Sequence, residues 1–382
     1  MFKIISFLAV FFFSLSTFSY RAAALGYFFL FLSIAPYWKN TLVVKRRDIF
    51  YFLLINISVI ACSLLQNIYW IYYVKFLGMI FFASIIYVMY TSNIIKISDI
   101  EFYCKGLILV NLTFFLIQLI AYQAFGHFID FNNMVREQES TTLYASRALS
   151  GFILSIRATG LYSEPSFYSM SVFCPTMILM LLNKKINKYV LLGLFSCALS
   201  LSIASLAIVA LAMIILFFRL KKNYLLKGAV IAAIVLSAPY LGDFYTKRIT
   251  DDSDYDAISS RLLILKEFEA RDFINDIVGS GFFWAEDEPI GKIGLKGYHT
   301  RDSSFYPYIY FSGGIFGLLL LFFFLSRLGL KNLDILYGVT ITLLFKFNIL
   351  SSFFWIFIVF CKALTAERRK NRSNLEDEHD IT

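Results

Sequence analysis

The chain has 382 residues, of which 59% are hydrophobic and only 16% charged. That composition excludes an ordinary water-soluble domain, which could not cover so much apolar surface, and makes lipid the expected solvent. The formal net charge of +9 invites a nucleic-acid partner, but most of the basic residues belong to a membrane-topology pattern instead.

The N-terminal stretch "MFKIISFLAVFFFSLSTFSYRAAALG" has the basic start and small-residue end of a signal peptide. A second apolar stretch follows almost at once, so it is read as a retained first span. A spanning helix needs about 20 mostly apolar residues. Twelve candidates follow in order: 2–20, 22–38, 49–66, 68–90, 106–124, 165–183, 189–202, 203–219, 228–241, 307–326, 333–347 and 348–364. Segments 189–202, 228–241 and 333–347 are short, which keeps an eleven-span count open. The expected fold is therefore all-α, a polytopic integral membrane protein that forms a single membrane domain. The tail from 365 to 382, ending "NLEDEHDIT", is expected to be a disordered cytoplasmic segment.

Lysine and arginine set the orientation. With the N-terminus inside, "KNTLVVKRRD", "KKINK", "RLKKNYLLK", "RLGLKN" and "KALTAERRKNRS" all face the cytoplasm. Together with Lys3, Lys96 and Lys105 they hold 21 of the 35 basic residues. Both termini are then cytoplasmic. Two long loops, 125–164 and 242–306, lie outside and carry 17 of the 26 acidic residues. This distribution leaves no role for nucleic acid. The five cysteines (62, 104, 174, 197 and 361) fall in or beside apolar segments without metal-ligand spacing, so neither a disulfide nor a zinc site is read.

The second long loop has structure of its own. Ile258, Leu262, Leu265 and Phe268 recur at helical spacing, with Ser260 as expected N-cap and Gly279 as stop. This reads as an amphipathic helix on the outer membrane face or against the bundle.

Three polar groups gather at the expected outer interface. Arg157, Gly160, Glu164 and Pro165 enter the sixth span. Arg261 opens the loop helix, which ends in "GSGF". "YHTRDSS", containing His299, Arg301 and Asp302, precedes the tenth span. Guanidinium groups suit phosphate, because their paired donors match phosphoryl oxygens and stay charged. A nearby His, Asp or Glu can take a proton from a sugar hydroxyl. Each residue also has a plainer reading. Arg157 can anchor a span among headgroups, Glu164-Pro165 can simply start a helix, Asp302 can cap one, and His299 can be an interface histidine. "GSGF" is weak as a phosphate loop, since no strand precedes it. Lys75 and Lys346 fall inside predicted spans near their outer ends, within snorkelling reach. Gly313 and Gly317 have the spacing of a helix-packing motif.

In order and rough spacing, "RATGLYSEPSFYS", "SSRLLILKEFEARDFINDIVGSGF" and "YHTRDSSFYPYIYFSGGIFGLLLL" resemble the Wzy-type O-antigen polymerases and the related O-antigen ligases. The resemblance covers most of residues 150–325; the N-terminal half matches only in hydropathy. It implies polymerisation of glycan repeat units carried on undecaprenyl diphosphate, at the periplasmic face of a bacterial inner membrane. It implies no metal and no cofactor, and leaves room for a chain-length regulator protein as partner. Arg157 and Arg261 would neutralise the leaving diphosphate. Arg301, Glu164 and Gly160 would belong to the substrate-binding surface. His299 or Asp302 would be the general base, and the choice stays open because Thr300 stands where the family often has Asn. The Arg-x10-Gly signature of some polymerases is missing after both Arg261 and Arg271. A ligase that passes the glycan to lipid A core, or a flippase for the same lipid, is the alternative.

Overall fold

The computed structural model describes residues 1–17, 19–39, 42–64, 66, 68–137, 156–219, 242, 257–285, 288–301, 303–329 and 332–379. Helices dominate: α1 (Phe2–Leu15), α2 (Tyr20–Ile34), α3 (Arg46–Ser63), α4 (Trp70–Thr91), α5 (Ile97–Phe125), the short α6 (Phe131–Val135), α7 (Pro165–Asn183), α8 (Lys188–Leu199) and α9 (Ile203–Arg219). After the second long loop come α10 (Ala257–Ala270), α11 (Phe273–Val278), a two-stranded hairpin of β1 (Pro289–Ile290) and β2 (Leu295–Lys296), and α12 (Gly297–Arg301). The chain then forms α13 (Phe305–Gly329), α14 (Leu333–Thr342) and α15 (Ser352–His379). Eleven of the twelve predicted spans coincide with a helix; the twelfth, 228–241, lies outside the described residues. Among the described residues, α4, α5, α7 and the Phe305–Arg327 part of α13 are long and apolar enough to cross a membrane. The chain is thus a mostly helical, multi-pass membrane protein.

Helix α7 is the hub. It packs against α5, α8, α9, α14 and α15, and 83% of its apolar window is buried, against 33–39% for the other three long helices. Its sequence explains this. Ser169, Ser171 and Thr176 interrupt an otherwise apolar helix, and all three are fully buried. Ser171 and Thr176 return their hydroxyls to their own helix, while Ser169 meets Ser200 at 2.7 Å. Small polar residues of this kind let membrane helices approach closely. The upper end of the bundle is the one where α5 ends and α7 begins; the lower end is where α3 begins and α15 ends.

Several expectations change. The loop helix is two helices, broken at Arg271–Asp272, and it begins at Ala257, so Ser260 lies inside it rather than capping it. Gly279 does end the second piece. The buried face is also rotated from the expected stripe. Leu262 and Leu265 are about half exposed, whereas Ile264 and the carboxylate residue Glu267 are buried. Polar anchoring, not the leucine stripe, fixes this helix. The tail expected to be disordered continues α15 to His379. "AERRKNRSNLEDEH" has no Gly or Pro and is rich in strong helix formers, so nothing stops propagation from the preceding span.

Helix α13 is not straight. Gly314 has φ +58° and ψ −156°, a break rather than a helical turn. The expected packing glycines therefore mark a broken helix. The turn after α11 docks into the break: the N–H groups of Ser280 and Gly281 donate to the carbonyls of Phe311 and Ser312 at 2.8 and 2.9 Å. Gly279, at φ +83°, is required there, because a side chain would collide with the backbone of Ser312 and Gly313.

Candidate functional site at the upper end of the bundle

The stretch Ile156–Tyr162 is pinned to α5 by the side chains of Gln118 and Asn111. The Gln118 carbonyl oxygen accepts from the N–H groups of Thr159 at 2.7 Å and Gly160 at 3.0 Å, and its amide donates to the Ile129 carbonyl at 2.8 Å. Gly160 adopts φ +56°, and a Cβ there would stand 3.2 Å from the Phe115 backbone nitrogen. Its place in the motif thus has a backbone cause: a left-handed turn pressed against a helix. Tyr162 donates its hydroxyl to Asn111 at 3.2 Å. Within this clamp Arg157 is only 7% exposed. Such burial does not fit an arginine that merely anchors a span among headgroups, which keeps its charged end in water.

Glu164 precedes Pro165 as the N-cap residue of α7, but its side chain makes no capping bond. Its carboxylate accepts from Ser166 Oγ at 2.9 Å and from Lys346 Nζ at 3.3 Å. Lys346 does not snorkel from within a span. It sits in the non-helical segment between α14 and α15, with its side chain only 14% exposed. The same segment receives the start of α13, since the Phe305 N–H points at the carbonyls of Leu343 and Phe345, each at 3.2 Å. The entrance to α7 and the entrance to α13, 140 residues apart in sequence, therefore meet through residues 343–346.

The third group arrives beside α13. His299 is half-buried on the short helix α12, whose Thr300 is buried and whose hydroxyl bonds back to Gly297 at 2.8 Å. Helix α12 packs against both α13 and α10, the helix that carries Arg261. The side chains of Arg261 and Arg301, and the whole of Asp302, lie outside the described residues.

The position of α10 is held by two charged groups. Glu267 accepts from the N–H groups of Lys292 and Ile293, both at 2.8 Å, which ties α10 to the β1–β2 turn. Arg271 reaches the break in α13, donating to the carbonyls of Tyr310 at 3.1 Å and Phe311 at 2.8 Å, and to Ser280 Oγ at 3.2 Å. Its guanidinium also lies over the rings of Phe268, Tyr310 and Phe311. Burial pulls the Arg271 guanidinium below its ordinary value, while Glu267, Tyr310 and Asp276 act in the opposite direction. The "GSGF" turn is thus a docking element for a broken helix: the N–H groups of Ser280 and Gly281 are engaged at the break, that of Gly279 at the Asn275 carbonyl and that of Phe282 at Ser63 Oγ.

Sequence reasoning assigned no site role to Gln118, Lys346 or Arg271, and Lys346 is there read as snorkelling. Each carried a signal. Gln118 is a polar residue deep in a predicted span, and such residues are costly unless they bond internally. Lys346 is a cation in a predicted span, and Arg271 interrupts the loop helix.

Chemically, this end of the bundle offers a carboxylate–ammonium pair, an imidazole and a buried guanidinium on elements linked by hydrogen bonds and helix packing. No protein-family model, curated protein or solved structure matches the chain.

Proposed function

We propose that the chain is a membrane-embedded glycan polymerase that uses undecaprenyl-diphosphate-linked repeat units. Twelve spans would place both termini in the cytoplasm and the site at the periplasmic face of a bacterial inner membrane. A hydroxyl of the acceptor's distal sugar attacks the anomeric carbon of the donor chain. The bond from that carbon to the diphosphate oxygen breaks, and the lipid diphosphate leaves. The hydroxyl proton passes to His299 or Asp302. Arg157 and Arg261 offset the charge on the leaving diphosphate, with Arg301 and Lys346 as further cations near it. Glu164 orients Lys346.

The observation that carries this reading is the link from Glu164 through Lys346 to the start of α13, beside which His299 stands. Two of the three polar motifs thereby share one end of the bundle, and the helix bearing the third packs against α12. Deleting the gene and running surface polysaccharide on a gel tests it. A polymerase deletion leaves single repeat units attached to core and no ladder. Loss of all repeats from core, with lipid-linked polymer accumulating, would make the protein a ligase instead. Lipid-linked units trapped on the cytoplasmic side would make it a flippase.

A further inference from the structure

A cleft of about 440 Å³ runs between α3, the second half of α13 and α15. Along α15 its lining extends from Phe354 to Arg369, about 22 Å of helix at 1.5 Å per residue. The break at Gly314 redirects the second half of α13, and Gly317, just beyond it, lines the cleft. The walls are apolar: Ile55 and Val59 from α3, Leu321 and Phe324 from α13, Trp355 and Ile358 from α15.

The lower mouth is different in kind. Lys45, Arg47, Arg327, Lys362 and Arg369 all line it. Asp48 engages one of them, Lys362, at 2.8 Å, and that lysine also lies 4.0 Å above the Tyr87 ring. Glu367, a second carboxylate, on α15, accepts from the Tyr90 hydroxyl at 3.0 Å. The other four cations are exposed. Positive charge therefore exceeds negative at the mouth of a long apolar trench.

We propose that this cleft binds an anionic membrane phospholipid, with an acyl chain in the trench and the phosphate at the Lys45–Arg47–Arg327–Arg369 rim. Arginine forks match phosphate oxygens, and basic pockets between spanning helices on the cytoplasmic side hold anionic headgroups. The rim lies on the side that the lysine and arginine count assigns to the cytoplasm. A free phosphate would gain nothing from the trench. A lipid-diphosphate donor would need its cations at the opposite end, where Phe305 and Ile349 line the cleft and, among the described residues, no cation does. The inference is independent of the proposed polymerase activity, because neither Lys346 nor His299 belongs to the lining.

The test uses the full chain in mixed micelles with brominated phosphatidylglycerol, reading quenching of Trp355. Quenching is expected at a lower lipid fraction than with brominated phosphatidylcholine, and this increment should vanish in Trp355→Phe. Arg47→Ser, Arg327→Ser and Arg369→Ser should each raise the half-quenching fraction about fivefold. All three are exposed positions, so the fold is retained. Native mass spectrometry of the purified protein should show retained phosphatidylglycerol, lost in the triple variant. Equal quenching by the two lipids, or an unchanged triple variant, overturns the proposal. So does displacement of phosphatidylglycerol by inorganic phosphate, or preferential displacement by an isoprenyl diphosphate.

Discussion

Replacing Arg271 by alanine removes, in one step, the side chain that ties the loop helices to the break in α13. Three hydrogen bonds are lost, to the Tyr310 and Phe311 carbonyls and to Ser280 Oγ, together with the 3.8 Å contact to Glu267. Bonds from a charged donor contribute about 1.5–3 kcal/mol each, but the losses do not add. The Phe311 carbonyl keeps the Ser280 N–H, and Glu267 keeps the two N–H groups of Lys292 and Ile293. The remaining loss is mainly the bond to the Tyr310 carbonyl and the filling of the space between three aromatic rings. The expected cost is therefore about 3 kcal/mol, the lower end of the range for breaking a buried charged pair. Lysine should recover less than half of this, because one ammonium cannot reach the Tyr310 and Phe311 carbonyls and Ser280 Oγ together as a planar fork does. Equilibrium unfolding in mixed micelles measures the effect, with Trp284 as a local reporter 5.6 Å from Phe311. Hydrogen exchange across residues 310–315 measures it directly. An unchanged unfolding midpoint, with unchanged exchange across the break, would refute the claim that Arg271 holds it.

Gly160→Ala should lower stability by about 1–2 kcal/mol through the left-handed backbone alone, and by more if Phe115 does not yield; denaturant unfolding reads this, and a neutral substitution would remove the backbone explanation. Charge reversal at Glu164 or Lys346 singly should abolish polymer on a polysaccharide gel at normal protein level, and the double exchange Glu164→Lys with Lys346→Glu should restore part of it. Arg157→Ala, Arg261→Ala and His299→Ala should each abolish the ladder with protein level intact, and wild-type ladders from both arginine variants would sink the proposed chemistry. Glu137 accepts from Ser19 Oγ and from the N–H groups of Tyr20 and Arg21 at the start of α2. Slight burial raises its pKa, but those hydrogen bonds outweigh it and leave the carboxyl below its ordinary value. Its contribution is thus present above the usual carboxylate range and is lost as pH falls through the lowered value. Glu137→Ala should therefore destabilise the protein at neutral pH and not in strong acid; an equal difference at both would contradict the assignment.

The broken helix and the clamp show where sequence reading stops. The apolar runs could be placed because each spanning helix satisfies its own backbone, so hydropathy over about 20 residues is enough. The Pro165 start of α7 and the Gly279 stop of α11 were legible for the same reason, since caps and stops are local. The partner of Glu164 was not, because Lys346 lies 182 residues away and reads as part of a span. The Gly313–Gly317 spacing pointed to straight helix packing, and only the arrival of Ser280, Gly281 and Arg271 makes a break at Gly314 affordable in hydrogen bonds. The leucine stripe of the loop helix misled because buried Glu267 and Arg271 bind backbone groups, an interaction no hydrophobic pattern records.

Composition, positions of the apolar runs and clustering of basic residues on alternate loops belong to the sequence by itself, because insertion into lipid is decided segment by segment. Which polar residues meet was decided by the tertiary structure. Bringing Glu164 to Lys346, Gln118 to Gly160 and Arg271 to the Phe311 carbonyl requires helices distant in sequence to pack, and the buried polar groups they enclose must then find one another.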